Sequence, residues 1–167
     1  MDDRSITFFV HGLPATQGGM RSVTTSAGPR LISSGGLNLK SWRTKITQVA
    51  QLTANLQHWA TIVDQPVAVS LRFYLQMPST RAAALRHAGI ALHWKRGDID
   101  KLARAVHDSL TVAAIYGDDG QIAVAAQWKY EVLEARHTGV EVTVLPLPVS
   151  PDVEAIAALE RLRTRYL

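Results

Sequence analysis

The chain has 167 residues, 47% of them hydrophobic and 19% charged, which suits one soluble domain with a real core and excludes a disordered tail. No apolar run approaches the roughly 18 residues of a membrane span, and the acidic start "MDDRSITFFVHG" is unlike the basic opening of a secretory signal. With no cysteine, disulfides and thiolate chemistry are excluded, so a cytoplasmic protein without membrane association is expected.

In chain order, "SITFFVHGLP" predicts a strand ended by Gly12 and Pro14. Residues 17–40, rich in Gly, Ser and Thr and carrying Arg21, Arg30 and Lys40, are expected as a flexible basic loop in which "GPRLI" can add a short strand. Trp42, Ile46, Val49, Leu52 and Leu56 then fall at helical spacing, with Ser41 as the candidate cap. Val67, Val69, Leu71, Phe73 and Leu75 alternate, predicting a half-buried strand stopped by Pro78. A basic connector follows over 79–97, with a short helix around Thr80–Ala88. The next helix starts at Asp98 and ends near Ala114, its buried face made by Ile99, Leu102, Val106, Leu110 and Ala113.

After the turn "YGDDGQ", the stretch "QIAVAAQWKYEVLE" reads as a strand, and "TGVEVTVLPL" is expected to pair with it across a turn near His137–Gly139. Ser150-Pro151 opens a last helix over 150–167, with Asp152 and Glu154 in its first turn and Arg161, Arg163 and Arg165 near its end, as the helix dipole favours. The order of elements predicts a single α+β domain of two layers, a mixed sheet packed by helices.

Charge is unevenly placed along this frame. Residues 1–97 hold eleven Lys/Arg against three acids, whereas 98–167 hold seven against eleven. Five of the nine aspartates fall within the 22 residues from Asp98 to Asp119. A basic body around a tight acidic knot points to a polyanionic partner and a cation-dependent centre. The tripeptide Arg96-Gly97-Asp98 also spells a cell-adhesion motif, a coincidence in a chain expected inside the cell.

Taken singly, each aspartate has an ordinary explanation. Asp is a favoured N-cap and first-turn residue, which covers Asp98 and Asp100, and it tolerates the turn holding Asp118-Asp119. Asp100 also stands four before Arg104. Together they suggest more. If strand 121–131 lies beside strand 66–77, its start can come near the N-terminus of the helix. Three carboxylates so gathered repel one another unless a cation holds them, and oxygen-only ligation suits Mg²⁺ or Mn²⁺. In phosphodiester hydrolysis such ions activate water and stabilise the leaving oxygen.

The stretch "GDIDKLARAVHDSLTVAAIYGDDGQIAVAAQWK", residues 97–129, resembles the RusA family of Holliday junction resolvases, with Asp98, Asp100, Asp108-Ser109-Leu110, Asp118-Asp119, Gln121-Ile122 and Lys129 on the family pattern. "VHGLPATQGG" is similar to the family's first strand and turn. The resemblance implies a homodimer that cuts branched DNA with Mg²⁺, Mn²⁺ being a possible substitute, and it implies no nucleotide cofactor. Asp98, Asp100 and Asp119 take the metal-binding and catalytic positions. Two residues depart from the pattern: Lys101 replaces the usual Asn, and Arg104 replaces the family lysine. Arginine keeps the charge and can grip phosphate through two bonds, but it is a poor proton shuttle.

Asp108 is expected to be structural, through hydrogen bonds or a pair with Arg104. Arg21, Arg30, Arg81, Arg86, Lys95, Arg96 and Lys129 are candidate DNA contacts, each balanced against a plain solvated charge. Four tryptophans, at 42, 59, 94 and 128, could stack on bases, with core positions the default. The expected function is a metal-dependent four-way junction endonuclease. The alternatives are a broader flap or fork nuclease, or a DNA-binding module that kept the fold without cutting.

Overall fold

A computed structural model describes residues 5–18, 20–26, 28–33, 36–95 and 97–149. The helix expected over 150–167 and the side chain of Arg96 lie outside the described residues. None of the described helices is long and apolar enough to cross a membrane.

Among the described residues, seven strands and three helices follow one another as β1 (Ile6–His11), β2 (Met20–Thr25), β3 (Gly28–Ser33), α1 (Gly36–Leu56), β4 (Val67–Gln76), α2 (Ala83–Ala88), β5 (Ile90–Leu92), α3 (Ile99–Val112), β6 (Ile122–Val132) and β7 (Gly139–Pro146). The main sheet has the order β1-β7-β4-β6-β5. It is mixed: β4 and β6 run parallel, and the other neighbours are antiparallel. A parallel pair needs a long crossover, and the chain between β4 and β6 supplies it with α2, β5 and α3.

The strand expected at "SITFFVHGLP" is β1, in which Ile6, Phe8 and Val10 point into the core between more exposed neighbours. With Val140, Val142 and Val144 of β7 and Val69, Leu71 and Phe73 of β4, they form the floor on which Leu39, Trp42, Ile46 and Ala50 of α1 and Leu102, Val106 and Leu110 of α3 pack. Each such aliphatic side chain contributes about 1.5–3 kcal/mol when removed from water. This is the two-layer α+β domain expected from the order of elements.

Four local expectations need correction. Residues 17–40 are not loop throughout, because β2 and β3 pair as an antiparallel two-stranded ribbon. Helix α1 begins at Gly36, so Ser41 lies inside it rather than at its cap, and Leu52 and Leu56 are 60% and 73% exposed instead of facing the core. Strand β4 is buried on both sides from Val67 to Leu71, since Ala68 packs against Leu147, Val124 and Leu145 behind the sheet. Finally, β7 does not pair with β6; it inserts between β1 and β4. A short connection suggested a hairpin, but strand order is settled by burial of the valine face.

That insertion brings backbones close at Gly139, which lies opposite His11 and Tyr74 with φ at +155°. A Cβ there would stand 2.2 Å from the Val10 carbonyl oxygen and 2.6 Å from the Phe9 ring. Gly139→Ala is therefore expected to lower stability by about 3 kcal/mol or more, read as a lower urea midpoint at unchanged slope.

Candidate active site at the start of helix α3

Asp98 is the residue before α3 and Asp100 lies in its first turn. Extended backbone at Asp98 ends the connector and helical backbone begins at Ile99, so both carboxylates project where the main-chain N–H groups of a helix start are unpaired. Both side chains are exposed, and Asp98 makes no capping hydrogen bond. Its carboxylate instead pairs with Lys101 one turn on. The hydrogen bond from Lys101 holds the Asp98 carboxyl below the usual carboxylate range, with a smaller contribution from the Lys101 and Lys129 charges. Arg104 is exposed in the next turn, and among the described residues no ion pair engages it.

The segment before Asp98 is fixed by Lys129 of β6. Its ammonium donates to the carbonyl oxygens of Lys95 at 3.0 Å and Gly97 at 2.7 Å. The Lys129 carbonyl in turn accepts from the His93 backbone N–H at 2.9 Å. Lys129 thus holds the main chain that delivers Asp98, with two of its three ammonium donors on backbone carbonyls.

The matched pair Asp118-Asp119 divides its labour. Asp118 Oδ1 accepts from the Gly120 N–H at 2.8 Å, and Gln121 Oε1 accepts from the Asp118 N–H at 3.0 Å, which closes a short 3-10 turn over Asp119–Gln121. Gln121 Nε2 also donates to the Gln65 carbonyl at 2.8 Å. Asp118 and Gln121 are therefore structural, and Asp119 is left exposed on the turn they build.

Asp119 does not stand beside Asp98. Its turn follows the C-terminal end of α3, where its charge acts on His107 and Tyr116. It is the far part of β6, at Lys129, that reaches the start of the helix. Measured along the helix from Asp98 to Val112 or along the strand from Ile122 to Lys129, the ends that carry Asp98 and Asp119 lie roughly 20 Å apart. The expectation about strand neighbours was right, since β6 does lie beside β4. The inference drawn from it was not: the start of β6 lies near the wrong end of α3. Among the described residues, no three His, Asp or Glu side chains gather closely enough to hold a metal ion.

Asp108 is structural as expected, through different partners. It accepts from Gln17 Nε2 at 2.7 Å and pairs with Arg43 of α1 at 3.4 Å, not with Arg104. Because the Gln17 N–H also donates to the Lys101 carbonyl at 2.9 Å, the segment after β1 is strapped along α3. Among the candidate DNA contacts, Arg21 lies on β2 opposite Ile32 and Arg30 on β3 opposite Val23. Arg86 donates to the Ser79 carbonyl at 3.2 Å, and Lys95 is exposed.

Arg81 has another task, which no sequence signal announces. It holds both carboxylate oxygens of Glu131, a fully buried residue of β6, and its guanidinium lies 4.4 Å from the centroid of the Trp94 ring. His93 Nδ1 stands 3.2 Å from the same carboxylate. Glu131 carries no distinguishing signal in "WKYEV"; only its burial sets it apart.

The sequence model of the family described as Endodeoxyribonuclease RusA matches residues 18–145, which takes in every described element except β1 and the end of β7. The chain belongs to the RusA endodeoxyribonuclease family. That family acts on DNA junctions, so the chain joins a class of nucleases through most of its length. A search of curated proteins returns no match.

Hydrogen bonding from Arg81 and then His93 lowers the Glu131 pKa against the opposing effect of burial. A carboxylate with a depressed folded value contributes stability that is present above its unfolded pKa, about 4.3, and is lost as pH falls through the folded value. The stability difference between wild type and Glu131→Gln should therefore be constant from pH 7 to about pH 5 and shrink below about pH 4.3. Urea denaturation at stepped pH reads this directly, and a difference independent of pH down to 3 would contradict it.

Proposed function

We propose that the protein is a divalent-metal-dependent, structure-selective endonuclease that resolves four-way DNA junctions by paired nicks, and that it works as a homodimer inside the cell. The observation that carries this reading is an exposed Asp98/Asp100 pair at a helix start, flanked by Lys101 and Arg104, in a chain of the RusA family. The donor set fits Mg²⁺ or Mn²⁺, because it is hard carboxylate oxygen on an open surface where water can complete the coordination. Two carboxylates from one chain leave room for a third.

Asp119 supplies that third ligand in this proposal, and its separation from Asp98 within one chain supports a place in the opposite subunit. In a two-fold dimer, Asp98 and Asp100 of one copy would then face the partner subunit's Asp119, and two equivalent sites would follow by symmetry. Two opposed sites also suit symmetric incision of a four-way junction. A divalent cation held there supplies positive charge beside the scissile phosphate and a source of hydroxide at neutral pH.

The protein groups do the rest. Lys101 pairs with Asp98, and a divalent cation held by Asp98 and Asp100 would free its ammonium to offset charge on the phosphate. Arg104 offsets the charge that develops on the phosphate oxygens and holds them through two parallel N–H bonds. Arg21, Arg30, Arg86, Lys95 and Arg96 contact the DNA backbone. Lys129 and Arg81 act at one remove in this proposal, as positioning residues, a role supported by the hold of Lys129 on the Lys95 and Gly97 carbonyls and of Arg81 on Glu131.

With a synthetic four-way junction and a matched linear duplex, Mg²⁺ should give paired nicks on the junction alone and EDTA should give none. Asp98→Asn and Asp119→Asn should each reduce cutting by roughly 100-fold or more while junction binding persists. Binding without cutting under any divalent ion would overturn the enzyme reading in favour of a DNA-binding module.

Arg104 gives a separate expectation. If it stabilises charge, Arg104→Lys should cut within a few-fold of wild type and Arg104→Ala should lose roughly 100-fold. A lysine variant far faster than wild type would show that proton transfer at this position matters.

A further inference from the structure

Of the four tryptophans, three are accounted for by the fold. Trp42 is buried against Gly12, the Trp59 indole N–H donates to the Ile115 carbonyl at 3.0 Å, and Trp128 lies under Arg72 on the sheet. Trp94 is different, for 65% of it is exposed. Its mounting is rigid. The Arg81 guanidinium covers one face of the ring at 4.4 Å, and Arg81 is itself clamped by the fully buried Glu131. The main chain is tied on both sides of Trp94, before it by the His93 N–H to the Lys129 carbonyl and after it by the Lys129 ammonium. Four residues later comes Asp98.

An indole held in place with one face backed by a cation and the other open is a platform for a flat π-system. We propose that Trp94 is a base-stacking residue that receives an unstacked base of branched DNA next to the incision site. This rests on the junction-nuclease reading above and adds to it the residue that engages the opened branch point. Charge decides for nucleic acid over a second protein surface, because residues 79–97 contain four Lys/Arg and no Asp or Glu. Exposed Ile90 and Leu92 stand nearby on β5, and a subunit contact there is the competing occupant that the test must separate. Stacking on an aromatic side chain tolerates any base, which suits a nuclease that selects structure.

The test uses a four-way junction with 2-aminopurine at the branch point, bound in Ca²⁺ in place of Mg²⁺. Wild type and Trp94→Phe should quench the probe on binding, whereas Trp94→Ala should leave it bright and weaken junction binding by roughly 5- to 150-fold. Thermal melting and sedimentation of each variant run in parallel. Unchanged quenching and affinity in Trp94→Ala would overturn the proposal, as would conversion of that variant to monomer, which would place the ring in a subunit contact. Wild-type cutting in Mg²⁺ is scored separately. If wild type cuts and Trp94→Ala behaves like it throughout, the stacking role alone falls. If wild type does not cut, the nuclease reading falls, and the probe emission still decides what Trp94 does.

Discussion

The parallel pairing of β4 with β6 constrains everything else in this molecule. Because the two strands run the same way, the chain must cross over between them, and α3 returns against β6 in the opposite sense. A carboxylate pair placed before the crossover helix and a carboxylate placed after it then fall at opposite ends of that helix. Asp98 and Asp100 stand at one end and Asp119 at the other. Closeness in sequence, only a helix and a turn apart, translates into separation in space.

A second consequence follows from the same pairing. The end of β6 that passes under the start of α3 carries Lys129 and Glu131, one partly and one fully buried. Neither touches the exposed carboxylates with its own donor or acceptor groups. Lys129 fixes the two carbonyls that precede Asp98, and Glu131 fixes Arg81 and His93, which set the connector against the sheet. Burying a carboxylate costs free energy that only close, well-directed partners offset, and Glu131 has three such contacts. The main chain leading to Asp98 is held from beneath by charges that are themselves satisfied.

How much of this could be read from the sequence depended on the kind of signal. Periodic burial was legible: the valines and leucines of β4 and α3 fell on the faces their spacing indicated. Strand order was only partly legible, since β6 beside β4 was anticipated but β7 against β6 was a false pairing drawn from a short connection. Of the ribbon, β3 was anticipated as the short strand at "GPRLI", whereas β2 was hidden in a Gly, Ser and Thr composition that reads as loop. Within the site, residue types were readable and roles were not. Asp108 was recognised as structural, yet its partners came from α1 and the segment after β1, 65 and 91 residues away, which no local spacing encodes. Glu131 carried no signal at all, because a buried and an exposed glutamate look the same in a strand pattern. Family resemblance named the acidic positions, and only three-dimensional placement revealed that one chain does not gather them.

The central claim is that each active centre takes Asp98 and Asp100 from one subunit and Asp119 from the other. It is tested most directly by mixing two variants that are inactive alone, Asp98→Asn and Asp119→Asn, with differently tagged copies to verify subunit exchange. A mixed dimer would have one centre with both mutations and one with neither. Cutting of the four-way junction should reappear in the mixture, chiefly as single nicks. A mixture that exchanges subunits and stays silent at every ratio would contradict the claim.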